Sequence, residues 1–268
     1  MTAELTSLAH HCFEINKYCP ETCCVVGNYY SIRSEHDKAI VYFQRAVKLN
    51  PNNSGAYTLM GHEFMEFKNT SAACLAYRKA LQIDPKDFRA WYGLGQVYDI
   101  LKMSTYAIYY YNMAHKARPQ DSRMIMALGD MYEKHQKFDD AKRCFWKAHC
   151  VADMDGLALL KLGKLYEKMN DQEQAAASYS MFLKYLEEKG VSGYLKLNNV
   201  DHQPGCYRFL AEYCVNRNQL DEAYNYAQLC LEFDSTKEEA KGILRRISQL
   251  RTCTPTNDES PEVIEVES

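Results

Sequence analysis

The chain has 268 residues, 47% of them hydrophobic, with 32 lysines and arginines against 35 aspartates and glutamates, for a net charge of −3. That length and apolar share suffice to bury a core. The near balance of charge excludes nucleic-acid binding by bulk electrostatics, and no run of uncharged apolar residues is long enough to cross a bilayer.

In chain order, Leu5, Leu8, Ala9 and Cys12 fall on one helical face, so residues 1–19 are expected to be the second helix of a partial repeat. From residue 20 the chain becomes periodic. Gly27, Gly61, Gly95, Gly129 and Gly163 follow one another at steps of 34 residues. A fixed period of that length predicts stacked copies of one small unit. Counting each unit from seven residues before its glycine, position 11 holds Tyr30, Phe64, Tyr98, Tyr132 and Tyr166. Position 20 is always alanine, from Ala39 to Ala175, and position 24 is Phe43, Tyr77, Tyr111, Phe145 and Tyr179.

These spacings put positions 4, 7, 8 and 11 on one face of a first helix and positions 20, 24 and 27 on one face of a second. The small residues let the two backbones approach and the aromatic ones fill the adjoining gaps. Pro51, Pro85 and Pro119 end units, and Asn53, Asp87, Asp121 and Asp155 are placed to cap the next first helix. Residues 20–189 thus read as five repeats, the last one extended, and 190–203 as an insertion loop. Residues 204–251 read as a sixth repeat with a capping helix, because Tyr207, Leu210, Ala211, Cys214, Ala223 and Ala227 restore the pattern. Residues 252–268 carry five acidic side chains and no lysine or arginine, which predicts a disordered acidic tail.

No nucleophile, base and acid stand at a catalytic spacing, and the glycines lie inside helices rather than in a phosphate-cradling loop. An enzyme is therefore not expected, nor is a cofactor. Of the 11 cysteines, Cys23, Cys214 and Cys230 occupy core positions and no Cys-x-x-Cys occurs, so buried thiols are expected rather than a metal site.

The recurring glycines, alanines and aromatics closely resemble the tetratricopeptide repeat. The implied fold is all-α, a right-handed superhelical solenoid of helix pairs whose first helices line a groove for an extended peptide. Candidate groove residues are Asn28, His62, Glu63, Glu66, Arg89, Tyr92, Gln96 and Asp99. The Asn28 amide suits a peptide backbone, and Glu63, Glu66 and Asp99 offer carboxylates to an arginine or lysine of the ligand.

Longer stretches go beyond what a repeat demands: NYYSIRSEH within 21–51, MGHEFMEFKNTSAA within 58–80 and WYGLGQVYDILKM within 89–103. They look like the eighth subunit of the anaphase-promoting complex. That resemblance implies a non-catalytic scaffold of a ubiquitin ligase in cell-cycle control, expected in nucleus and cytoplasm. It implies packing against other tetratricopeptide subunits, homodimerisation through amino-terminal repeats that are absent or partial here, and a groove for the arginine-bearing C-box of coactivators. Asn28 and Glu63 match that contact.

An alternative is a co-chaperone-type adaptor for acidic chaperone tails. Its clamp would fall on Cys24, Asn28, Leu59, Arg89 and Gly93, of which only Asn28 and Arg89 fit.

Overall fold

The computed structural model describes residues 2–152, 156–188 and 202–253. Among them are fourteen α-helices and no strand, divided between two compact units, Met1–Ala152 and Asp153–Ser268. None of these helices is long and apolar enough to cross a membrane.

The first unit opens with α1 (Thr2–Asn16), which packs on α2 (Pro20–Ile32). Four antiparallel pairs follow: α2 with α3 (His36–Leu49), α4 (Ser54–Glu66) with α5 (Thr70–Ile83), α6 (Phe88–Ile100) with α7 (Ser104–Ala117), and α8 (Ser122–Lys134) with α9 (Phe138–Ala152). The glycine of each first helix faces the aromatic ring sixteen residues later in its pair. At Gly61 an added Cβ would lie 2.5 Å from Cε1 of Tyr77, so only hydrogen fits there. Gly93 in the next pair abuts the same ring. Tyr77 is accordingly among the largest fully buried side chains and sits in one core with Leu94, Val97, Tyr98 and Tyr111.

Both ends of the pairs follow from backbone chemistry. Asn53 accepts a hydrogen bond from the Ala56 amide at 3.1 Å, while Asp87 and Asp121 accept from the Arg89 and Arg123 amides at 3.0 and 3.1 Å. Each satisfies an amide that the helix leaves unpaired. The corner between paired helices is closed differently. Ser34, Lys68, Lys102 and Gln136 all adopt the left-handed conformation, with φ of 57–60°. The next amide then reaches back to the carbonyl five residues earlier, as in Asn69 to Phe64 at 2.8 Å and Met103 to Tyr98 at 2.8 Å.

The second unit pairs α10 (Leu157–Lys168) with α11 (Gln172–Glu188), and α12 (Gln203–Asn216) with α13 (Leu220–Leu231). Helix α14 (Lys237–Cys253) packs on α13. Asn170 and Asn218 make the same left-handed corners, both with φ of 61°. At 17 residues α11 is longer than the 14-residue second helices α3, α5 and α7. Thr252 and Cys253, read from the sequence as the start of the tail, belong to a helix. Helix α14 runs through Thr252 to Cys253, held near its end by Arg251 on Asp221 at 2.6 Å and by Thr252 on the Gln249 carbonyl at 2.7 Å. The Asp155 cap, most of the 190–203 insertion and residues 254–268 lie outside the described residues.

Candidate functional site

Among the first helices of the first unit, α2, α4 and α6 carry every groove residue named from the sequence. Asn28 on α2 is half-buried, and its side-chain amide makes no hydrogen bond among the described residues. Glu66, in the last turn of α4, is exposed and likewise unpaired.

Two of the expected carboxylates are already engaged by neighbouring repeats. Glu63 is 5% exposed, with Oε1 accepting from the Ser31 hydroxyl at 2.7 Å and Oε2 2.8 Å from Nδ1 of His36. A carboxylate at that depth is stable only when both oxygens are engaged, and the preceding repeat supplies both partners. Asp99 is held by Nζ of Lys134, on α8, at 2.7 Å to each oxygen. Of the three expected carboxylates, only Glu66 is thus left without a partner among the described residues.

The remaining four residues come together. His62, Arg89, Tyr92 and Gln96 line a pocket of about 480 Å³, joined by Phe88, Arg118, Arg123 and Met124. Three guanidiniums make the lining of this pocket basic, although the sequence offered Glu63, Glu66 and Asp99 as the groups for a ligand. Asp87 and Asp121 hold two of them in place: Nε of Arg89 is 3.2 Å from Asp87, and Arg123 grips Asp121 through Nε at 3.0 Å and Nη2 at 2.7 Å. The Arg123 bond pulls the Asp121 carboxyl below its ordinary range. Arg118 lies over the Phe88 ring, 4.7 Å from its centre, as expected of a guanidinium on an aromatic face.

His62 connects the pocket to the core. Its Nδ1 is 2.8 Å from the Tyr77 hydroxyl, and burial, followed by the nearby Arg89 charge, lowers its pKa. Burial also raises the Tyr77 pKa, so the phenol keeps its proton.

Residues 20–53 and 157–185 match family models described as tetratricopeptide repeat, and residues 61–99 match one described as TPR repeat. The helix pairs in these three segments are tetratricopeptide repeats. Over 71 residues the chain is 65% identical to a Dictyostelium discoideum protein named anaphase-promoting complex subunit 8, covering 26% of this chain and 12% of the relative. Over 70 residues it is 56% identical to the Arabidopsis thaliana protein of the same name, again covering 26% and 12%. The matched stretch is thus a small part of each relative's length. The crystal structure described as the APC/C hetero-tetramer Cut9-Hcn1 shares the fold, with a TM-score of 0.64 at 17% identity over 92% of this chain and 46% of that one.

Sequence reasoning missed Phe88, Arg118 and Met124 in the tetratricopeptide groove. Met124 is buried in the core as well as lining the pocket. Arg118 lies just past the end of a second helix, where a search confined to first helices does not look. The tyrosines of α7 divide as well: Tyr110 stacks on Tyr98 with ring centres 5.1 Å apart, while Tyr109 is exposed. The core cysteines are inert. Burial pushes the Cys206 thiol up to about 12 and Cys230 to about 11, which keeps both protonated.

Proposed function

We propose that this chain acts as a non-catalytic scaffold within an anaphase-promoting complex, packing against other tetratricopeptide subunits in nucleus and cytoplasm. The observation that carries this reading is the 71-residue stretch at 65% identity to a protein named for that complex. Helix packing alone fixes the small and aromatic positions of a repeat, and identity at that level extends well beyond them. In this reading, the first-helix face of the first unit holds the C-box of a coactivator. Asn28 supplies an unengaged amide and Glu66 an exposed carboxylate. Glu63 acts from the floor of the groove, the ligand arginine taking the place of His36 at its Oε2.

The test is affinity purification of the tagged chain from dividing cells, with identification of the chains that accompany it. Recovery of other repeat subunits together with a ligase core supports the scaffold; their absence sinks it. For the peptide, Asn28→Ala and Glu66→Lys are each expected to weaken a C-box peptide by about 1–3 kcal/mol, the scale of losing one hydrogen bond or reversing one charge.

The adaptor for acidic chaperone tails gains one supporting observation, the three guanidiniums of the pocket. Against it, Cys24 and Gly93 stand where its clamp needs basic side chains, and Gly93 abuts the Tyr77 ring, leaving no space for one. A chaperone-tail peptide that binds more tightly than the C-box peptide would favour this second reading.

A further inference from the structure

Every polar side chain lining the pocket between α4, α6 and α8 is able to donate a hydrogen bond, and none is acidic. Arg89 and Arg123 are fixed from behind by Asp87 and Asp121, and Arg118 by the Phe88 ring. Among the described residues the three guanidiniums pair only with Asp87 and Asp121, Arg118 reaching Asp121 at 3.9 Å, and neither aspartate lines the pocket. The neutral donors are also uncommitted: the Tyr92 hydroxyl and the Gln96 amide make no hydrogen bond among the described residues. His62 adds another. Its Nδ1 is engaged by the Tyr77 hydroxyl, and its Nε2 has no partner among the described residues.

We propose that this pocket binds a phosphoryl group carried on a side chain of an extended peptide. A phosphoryl group brings a charge of about −1.5 to −2 and three strong acceptor oxygens, against about −1 and two oxygens for a carboxylate. Planar guanidinium forks match phosphate oxygens in pairs, and side chains already held by carboxylates and a ring lose little freedom on binding. The volume falls within the ordinary range for small-ligand sites. The pocket stands on a chain whose net charge is −3, which favours a single phosphoryl group over a nucleic-acid backbone. This inference goes beyond the coactivator reading and rests on residues other than Asn28, Glu63 and Glu66, which carry that contact.

The test measures fluorescence anisotropy of the full chain with degenerate labelled nonapeptides whose central residue is phosphoserine, glutamate or serine. The phosphoserine pool is expected to bind at least about tenfold more tightly than the other two, the step a charge-assisted bond supplies. Arg89→Ala and Arg118→Ala should each remove roughly that factor. Gln96→Ala, which disturbs no ion pair, should weaken the same pool with an unchanged thermal melt. Asn28→Ala should leave it unaffected, which separates this site from the C-box contact. Equal binding of the three pools, or insensitivity to both arginine substitutions, overturns the proposal. So does glutamate matching phosphoserine, inorganic phosphate binding as tightly as the phosphopeptide pool, or a mixed-sequence single-stranded oligonucleotide outcompeting it.

Discussion

Glu63 and His36 join consecutive repeats through a 2.8 Å contact between Oε2 and Nδ1, with the Ser31 hydroxyl on the other carboxylate oxygen at 2.7 Å. A residue expected to serve a ligand thus also holds the first two helix pairs together. Glu63→Ala should destabilise the first unit by about 1–3 kcal/mol, because both partners lose their acceptor. Glu63→Gln, which retains one acceptor for Ser31, should cost less. Denaturant unfolding read by circular dichroism checks both, and equal stability of Glu63→Ala and the parent would show that the contact contributes nothing.

Tyr77 is wedged between Gly61 of its own repeat and Gly93 of the next. Gly93→Ala should therefore lower stability by about 1–3 kcal/mol through overpacking, since a fully buried ring has nowhere to move. Gly242→Ala is the control, because a Cβ there meets nothing within 4 Å. It should be neutral or slightly stabilising in the middle of α14, and thermal melts of both variants decide the matter.

Lys102 holds a left-handed corner at φ 60° without being glycine. Lys102→Gly should raise stability by up to about 1 kcal/mol, the relief of the Cβ clash less the added freedom of the unfolded chain. Lys102→Val should lower it, since a β-branched side chain tolerates that conformation least. A shift in the same direction for both would contradict the assigned backbone.

His62 has a pKa below its ordinary 6.5, burial being the first cause and the Arg89 charge the second, opposed by Asp87, Glu63 and Glu66. The folded ring therefore stays neutral at a pH where the unfolded ring binds a proton. Its contribution to stability is complete above about 6.5 and declines as pH falls through the window below that value. The stability difference between the parent and His62→Phe should shrink between pH 7 and pH 5. A difference independent of pH would show that His62 titrates alike in both states.

The sequence made the packing legible and the polar pairing much less so. Gly61 and Tyr77 announce themselves because only small and aromatic residues fit where two backbones touch, and Asn53, Asp87 and Asp121 do so because few side chains cap a helix. The corners carry no such signal. Ser34, Lys68, Lys102 and Gln136 share a backbone conformation but no side-chain chemistry, since the closing bonds are all main chain. The partners of Glu63 and Asp99 stand 27 to 35 residues away, visible only once the repeats are stacked. The same holds for the basic pocket, whose three arginines come from the starts of two first helices and the exit of a second.

The main-chain closure of those corners limits where the chain tolerates a change of length. One residue added between Lys102 and Ser104 would turn α7 by about 100° about its axis and swing Tyr111 away from Gly95, unseating the pair. Added chain at a junction between two pairs leaves each pair's internal register intact, so growth and divergence of length are channelled to the joints and away from the elbows.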